Sequence, residues 1–70
     1  LNDELKTEVE RVSKIISETH HAACAAIFMG GTGKELIAKR DRLLAQVQRA
    51  CLATDENRQQ ALADLRAVAE

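Results

Sequence analysis

His20, His21 and Cys24 are the residues of this 70-residue chain whose types and spacing come nearest to chemistry. His20 and Cys24 stand four positions apart, so on a helix they share one face and could fill two positions of a zinc or haem site. Two ligands leave a tetrahedral site half made. In a helical hairpin the segment opposite carries Lys39, Arg40 and Arg42, which repel a cation, so a second copy of the chain would have to bring the missing ligands. A metal- or haem-binding helical bundle built on His20, His21 and Cys24 is the alternative reading. The preferred reading gives the region no metal and no cofactor. His20 then lies at the edge of a packing seam, His21 faces solvent and Cys24 is a small packed residue.

The stretch Gly31-Thr32-Gly33-Lys34-Glu35-Leu36-Ile37-Ala38 over eight residues resembles the phosphate-loop region of bacterial sigma-54-type activator ATPases. That resemblance implies nucleotide binding, and the residues around it argue against it. Phe28 stands where the loop needs its first glycine. A helical pattern precedes it where a buried strand belongs, and Glu35 follows the lysine where phosphate loops normally place a magnesium-binding hydroxyl, a position at which that family departs too. The preferred reading is a glycine turn. Lys39, Arg42, Gln46 and Arg49 form a stripe along the outer side of the second helical segment. Such a stripe could track phosphates, which makes a nucleic-acid-binding hairpin dimer the second alternative. No aromatic residue interleaves it and two acidic segments flank it, so a solvated face is preferred. No nucleophile–base pair and no paired buried acids can be assembled, so no catalytic residue is assigned and an enzyme is not expected.

The elements that position these residues are helices. All three glycines fall at 30, 31 and 33 and there is no proline, so the chain has one enforced turn. Before it, Leu5, Val9, Val12, Ile16, Thr19, Ala23 and Ala26 alternate in steps of four and three, a heptad seam. Leu1 widens its flank, and Asn2 or Asp3 can cap the start. Gly30 fits a left-handed C-terminal cap. Thr32 to Glu35 fits a capping box, with Thr32 accepting from the Glu35 amide. The second seam runs Ile37, Arg40, Leu44, Val47 and Cys51, with Leu36, Leu43 and Ala50 alongside. Its phase continues through Thr54, Arg58, Ala61, Leu65 and Val68, which favours one long second helix. Thr54-Asp55-Glu56-Asn57 reads as a helix start, which keeps a break and a third helix open. The fold class is all-α: an antiparallel, coiled-coil-like helical hairpin over 3–29 and 33–53. Partners should have numbers adding to about 63, within a turn of helix, as for Val12 with Cys51 and Ala23 with Arg40. Cys24 and Cys51 are then too far apart to pair.

Charge is divided: net −2 over residues 1–29, +3 over 34–49 and −2 over 55–70, a pattern in which the helices pair with one another. Glu10 with Lys14 and Glu35 with Lys39 are spaced for i,i+4 pairs. No apolar run reaches the roughly 18 residues that span a membrane, and two unpaired cysteines suit a reducing, cytoplasmic setting. A single domain over residues 1–70 is expected, and a first residue of leucine suits a piece of a longer chain. A chain this short buries only about 60% of its unfolded surface. Its one aromatic residue, Phe28, leaves the core to aliphatic side chains and alanine. From Ala22 to Met29 the helix is apolar on every side, while a hairpin covers one side. Ala22, Ala25, Ile27, Phe28 and Met29 are therefore the candidate partner-binding residues. The expected function is a non-enzymatic assembly module that binds a second copy of itself, or another helical protein as an adaptor or chaperone-like subunit. Nucleic acid, membrane and small-molecule partners are not expected.

Overall fold

The computed structural model describes residues 3–68, so Leu1 and Asn2 lie outside the described residues. It holds three helices, α1 (Asp3–Phe28), α2 (Lys34–Cys51) and α3 (Arg58–Arg66), and no strand among the described residues. The glycine turn makes α1 and α2 antiparallel, and Arg40 reaches His20 across the pair. Those two numbers add to 60, within one turn of the expected register.

The turn ends α1 as predicted. Gly30 has φ 94°, its N–H donates to the Ile27 carbonyl at 3.0 Å, and the Gly31 N–H donates to Ala26 at 2.8 Å. These two bonds are the Schellman pattern, which satisfies carbonyls the helix leaves open. The start of α2 differs from the predicted capping box. Gly33, at φ 65°, occupies the cap position, and its carbonyl accepts from the Ile37 N–H at 2.8 Å. The Thr32 hydroxyl accepts instead from the Lys34 N–H, at 3.3 Å. The cause is close approach: a Cβ at Gly33 would lie 3.1 Å from the Ala23 carbonyl oxygen. The turn is wound so tightly against α1 that glycine takes the cap and the threonine moves one position out.

The favoured long second helix does not form. α2 ends at Cys51, and a turn closed by the Asn57 N–H on the Thr54 carbonyl leads into α3. Register explains the break. A straight α2 would draw level with the start of α1 near Asn57, and everything beyond would have nothing to pack on. Folding back buries Leu62 and Leu65, worth about 1.5–3 kcal/mol for each leucine fully buried. The fold-back runs α3 antiparallel to α2. Asn57, Gln60 and Ala61 lie beside Arg49, Leu52 and Ala53, while Ala67 and Val68 lie beside Lys39, Arg42 and Leu43.

This third helix relocates the core. The buried cluster is Leu5, Val12, Leu43, Ala50, Leu62 and Leu65, with Val9, Ile15, Ile16 and Val47 packed against it. On α1 the predicted seam holds, with Leu5, Val12, Thr19 and Ala23 buried. On α2 the buried residues are the expected flank, Leu43 and Ala50, while Leu44 and Cys51 of the predicted seam are exposed. Two helices, α1 and α3, press on α2, so its buried line turns toward the groove between them. The same rotation half-buries Lys39 and Gln46 and leaves Arg42 and Arg49 in solvent, so the supposed outer stripe is not one face. Gln46 Oε1 is buried with no hydrogen-bond partner.

Arg11 ties α3 down. Its Nη1 donates to the Val68 carbonyl at 3.0 Å and its Nη2 to the Leu65 carbonyl at 2.9 Å, while Nε donates to Glu8 at 3.1 Å. A cation at the carbonyl end of a helix also meets the negative pole of its dipole. Arg66 pairs with Glu4 at 3.3 Å. The charge division is therefore not read out as predicted. Among the described residues no ion pair joins α2 to α1 or α3, and neither Glu10–Lys14 nor Glu35–Lys39 closes.

Two outcomes follow from this packing. Replacing Arg11 with Ala is expected to cost about 2 kcal/mol, the scale of charged hydrogen bonds. Arg11→Lys should lose part of that, because it keeps the charge but not the fork. Urea midpoints check this, and a midpoint unchanged in Arg11→Ala refutes it. Gly33→Ala is expected to cost about 1–2 kcal/mol through its left-handed backbone, and Thr32→Ala less. The reverse order in chemical denaturation would put the cap at Thr32.

Candidate functional site

The predicted partner-binding residues gather at one end of the molecule. α3 stops at the level of Arg11, whose guanidinium holds its last carbonyls, so it covers only the lower half of a body about 45 × 17 × 16 Å. The upper half is two helices and a turn. Phe28 is 88% exposed, Met29 82% and Ile27 51%, and Ala22 and Ala25 are exposed too. Ile27 is the least open of the large three because its Cγ1 lies beside Gly33. Ala23, facing α2, is buried. All five residues named from sequence are exposed at this end of the molecule, spread around α1 rather than on one face of it.

At the opposite end Leu52 is 83% exposed, one residue past α2, beside a shallow groove lined by Ala53, Gln60 and Ala61. Sequence reading did not single it out. The signal was present: Ala50-Cys51-Leu52-Ala53 is a second stretch with no polar residue, a shorter version of Ala22 to Met29.

His20, Cys24 and Arg40 form a second constellation. Cys24 Sγ lies 3.7 Å from His20 Nε2, and Arg40 Nη1 lies 2.9 Å from His20 Nδ1. A guanidinium only donates, so Nδ1 accepts, and the neutral ring carries its hydrogen on Nε2, pointed at the sulfur. Two expectations change here. Cys24 is exposed rather than packed, and a thiol and an imidazole do meet. Yet the nitrogen nearest the sulfur already bears a hydrogen, so it is placed to donate to sulfur rather than to take the thiol proton. The same hydrogen occupies the lone pair a metal would need. His21 stacks edge-on against His20, with ring centroids 5.9 Å apart. Among the described residues no three His, Cys, Asp or Glu side chains converge as a metal cluster. Arg40 is itself held by Asp41 through Nε at 3.2 Å and Nη2 at 3.1 Å.

The glycine loop offers phosphates little. A helix precedes it, and the Gly30, Gly31 and Lys34 amides are engaged by Ile27, Ala26 and Thr32. A phosphate loop works by turning such amides outward to the ligand. Cys24 and Cys51 are both free thiols. No helix among the described residues is long and apolar enough to cross a membrane.

The chain matches no family model, no curated protein and no solved structure.

Calorimetric titration of the reduced protein with zinc is expected to show no stoichiometric binding tighter than micromolar. Tight binding that disappears in His20→Ala would overturn this and favour the metal-binding reading.

Proposed function

We propose that this chain is a non-enzymatic helical assembly module that associates with a second copy of itself through its apolar tip. One observation carries the reading. The chain's single aromatic residue, Phe28, stands almost wholly in solvent at 88% exposure, beside Met29 and Ile27 and above exposed Ala22 and Ala25. A small domain with one aromatic residue gains nothing in its own core from a side chain placed there. Clustered exposed apolar residues mark contact surfaces, and contact with another chain adds the stability that a short chain lacks.

The neighbouring geometry supports a binding rather than a catalytic role. The grooves are open and shallow, and the one thiol–imidazole pair is arranged without a free base nitrogen beside the sulfur. Two exposed free thiols suit a reducing setting. A different helical protein seated on the same tip is the adaptor form of this reading.

Light scattering on the purified chain decides between a second copy and a different partner. A mass above the 7.7 kDa of one chain is expected. Ala25→Asp and Phe28→Asp are expected to keep helicity and to lower that mass, because each sets an unpaired charge in the contact. If both variants keep the parent's mass, the tip is not the contact.

A further inference from the structure

Cys24 does not stand alone. It belongs to a group of three side chains drawn from two helices, and each link has one direction. Arg40 on α2 donates from Nη1 to His20 Nδ1 at 2.9 Å. Nδ1 is thereby the ring's acceptor, so the neutral imidazole carries its hydrogen on Nε2. Nε2 lies 3.7 Å from Cys24 Sγ, one turn along α1. Asp41 grips Arg40 at 3.2 and 3.1 Å and offsets its charge. Arg40 is therefore a positioning residue, which reaches the sulfur through the ring it orients. Cys24 is exposed, and α3 stops short of it at the level of Arg11, so a small molecule has access to the sulfur from solvent.

Cys51 is the contrasting thiol. It is equally free and exposed, yet no side chain hydrogen-bonds to its sulfur among the described residues. It is the last residue of α2, where the negative pole of the helix dipole disfavours negative charge.

We infer that Cys24 is a site of reversible S-thiolation that takes its group from a low-molecular-weight disulfide. This goes beyond the assembly reading and does not rest on it. The step is thiol–disulfide exchange. The Cys24 thiol gives its proton to water, and the sulfur anion attacks one sulfur of the small disulfide. A bond forms from Sγ to that sulfur and the old disulfide bond breaks. Its electron pair leaves on the other sulfur, which takes a proton from water. Cys24 is oxidised to a mixed disulfide, and the reagent is reduced to one thiol. A free small thiol reverses the step, with Sγ as the leaving sulfur. In both directions charge builds on Sγ or departs from it, and an N–H aimed at the sulfur favours its charged form. For a thiol near neutral pH that gain outweighs the modest loss of nucleophilicity. A thiolate leaves without help from an acid, so the lack of a free base nitrogen, which argues against catalysis, is no obstacle here.

Exchange with a neutral dipyridyl disulfide tests this, since its released thiopyridone is coloured and its neutrality removes attraction to Arg40. Rates are measured at neutral pH in Cys51→Ser and in Cys24→Ser, which report one thiol each. The chain is kept dilute, so that contact between copies does not shield a thiol. Peptide mass spectrometry locates the first adduct in the parent. Cys24 is expected to react about fivefold or more faster than Cys51. Adding His20→Ala to the Cys51→Ser chain should remove most of that excess, and so should unfolding in urea. Equal rates for the two thiols overturn the proposal. So does an excess that survives His20→Ala or urea, because exposure or local sequence then accounts for it. Nitrogen NMR of the His20 ring checks the role of Arg40: a proton on Nε2 is expected, and one on Nδ1 overturns the arrangement.

Discussion

The packing of α3 against the hairpin is the constraint on which the rest of this structure depends. A nine-residue helix is too short to persist by itself. It persists because Leu62 and Leu65 are buried against α1 and α2 and because Arg11 engages the Leu65 carbonyl in its last turn and the Val68 carbonyl just beyond it. Without it the lower half of the hairpin would show its apolar flank, Leu43 and Ala50, to water. With it, Leu5, Val12 and those residues close into one core.

The same helix explains the asymmetry of the molecule. α3 is shorter than either arm of the hairpin, so it cannot roof both halves. It settles on the half with the larger side chains, where leucines and valines meet. The other half is left with alanines against α2 and with Ile27, Phe28 and Met29 outside. Structure is concentrated at one end and exposed apolar surface at the other. That division is the observation from which the proposed self-association is argued.

Polar contacts in this chain orient more than they stabilise. Most of its ion pairs are exposed and local, such as Arg40–Asp41 and Arg58–Asp55, and pairs of that kind contribute little. Arg11 is the exception because its guanidinium acts on a helix end. Arg40 is an orienting group of another kind. By donating to His20 it sets which ring nitrogen carries hydrogen, and with that what the His20–Cys24 pair can do.

The sequence by itself determined the hairpin, its turn and the seam of α1. Heptad spacing from Leu5 to Ala23 and three clustered glycines leave few other ways to fold, because local periodicity and the left-handed freedom of glycine act over a few residues. The exposed tip was legible for a related reason: eight residues without a charge cannot all be covered by one partner helix. Tertiary structure alone decided the rest. The break after Cys51 is invisible in a heptad phase that continues unshifted, since it arises where α1 runs out of length to pack against. The rotation of α2 onto Leu43 and Ala50 needs a third body in the groove. The cap at Gly33 reflects the approach of the turn to Ala23, and the roles of Arg11 and Arg40 reflect carbonyls and a ring supplied from 57, 54 and 20 residues away. Contacts at such separations are set by how helices pack, and no local pattern in the chain encodes them.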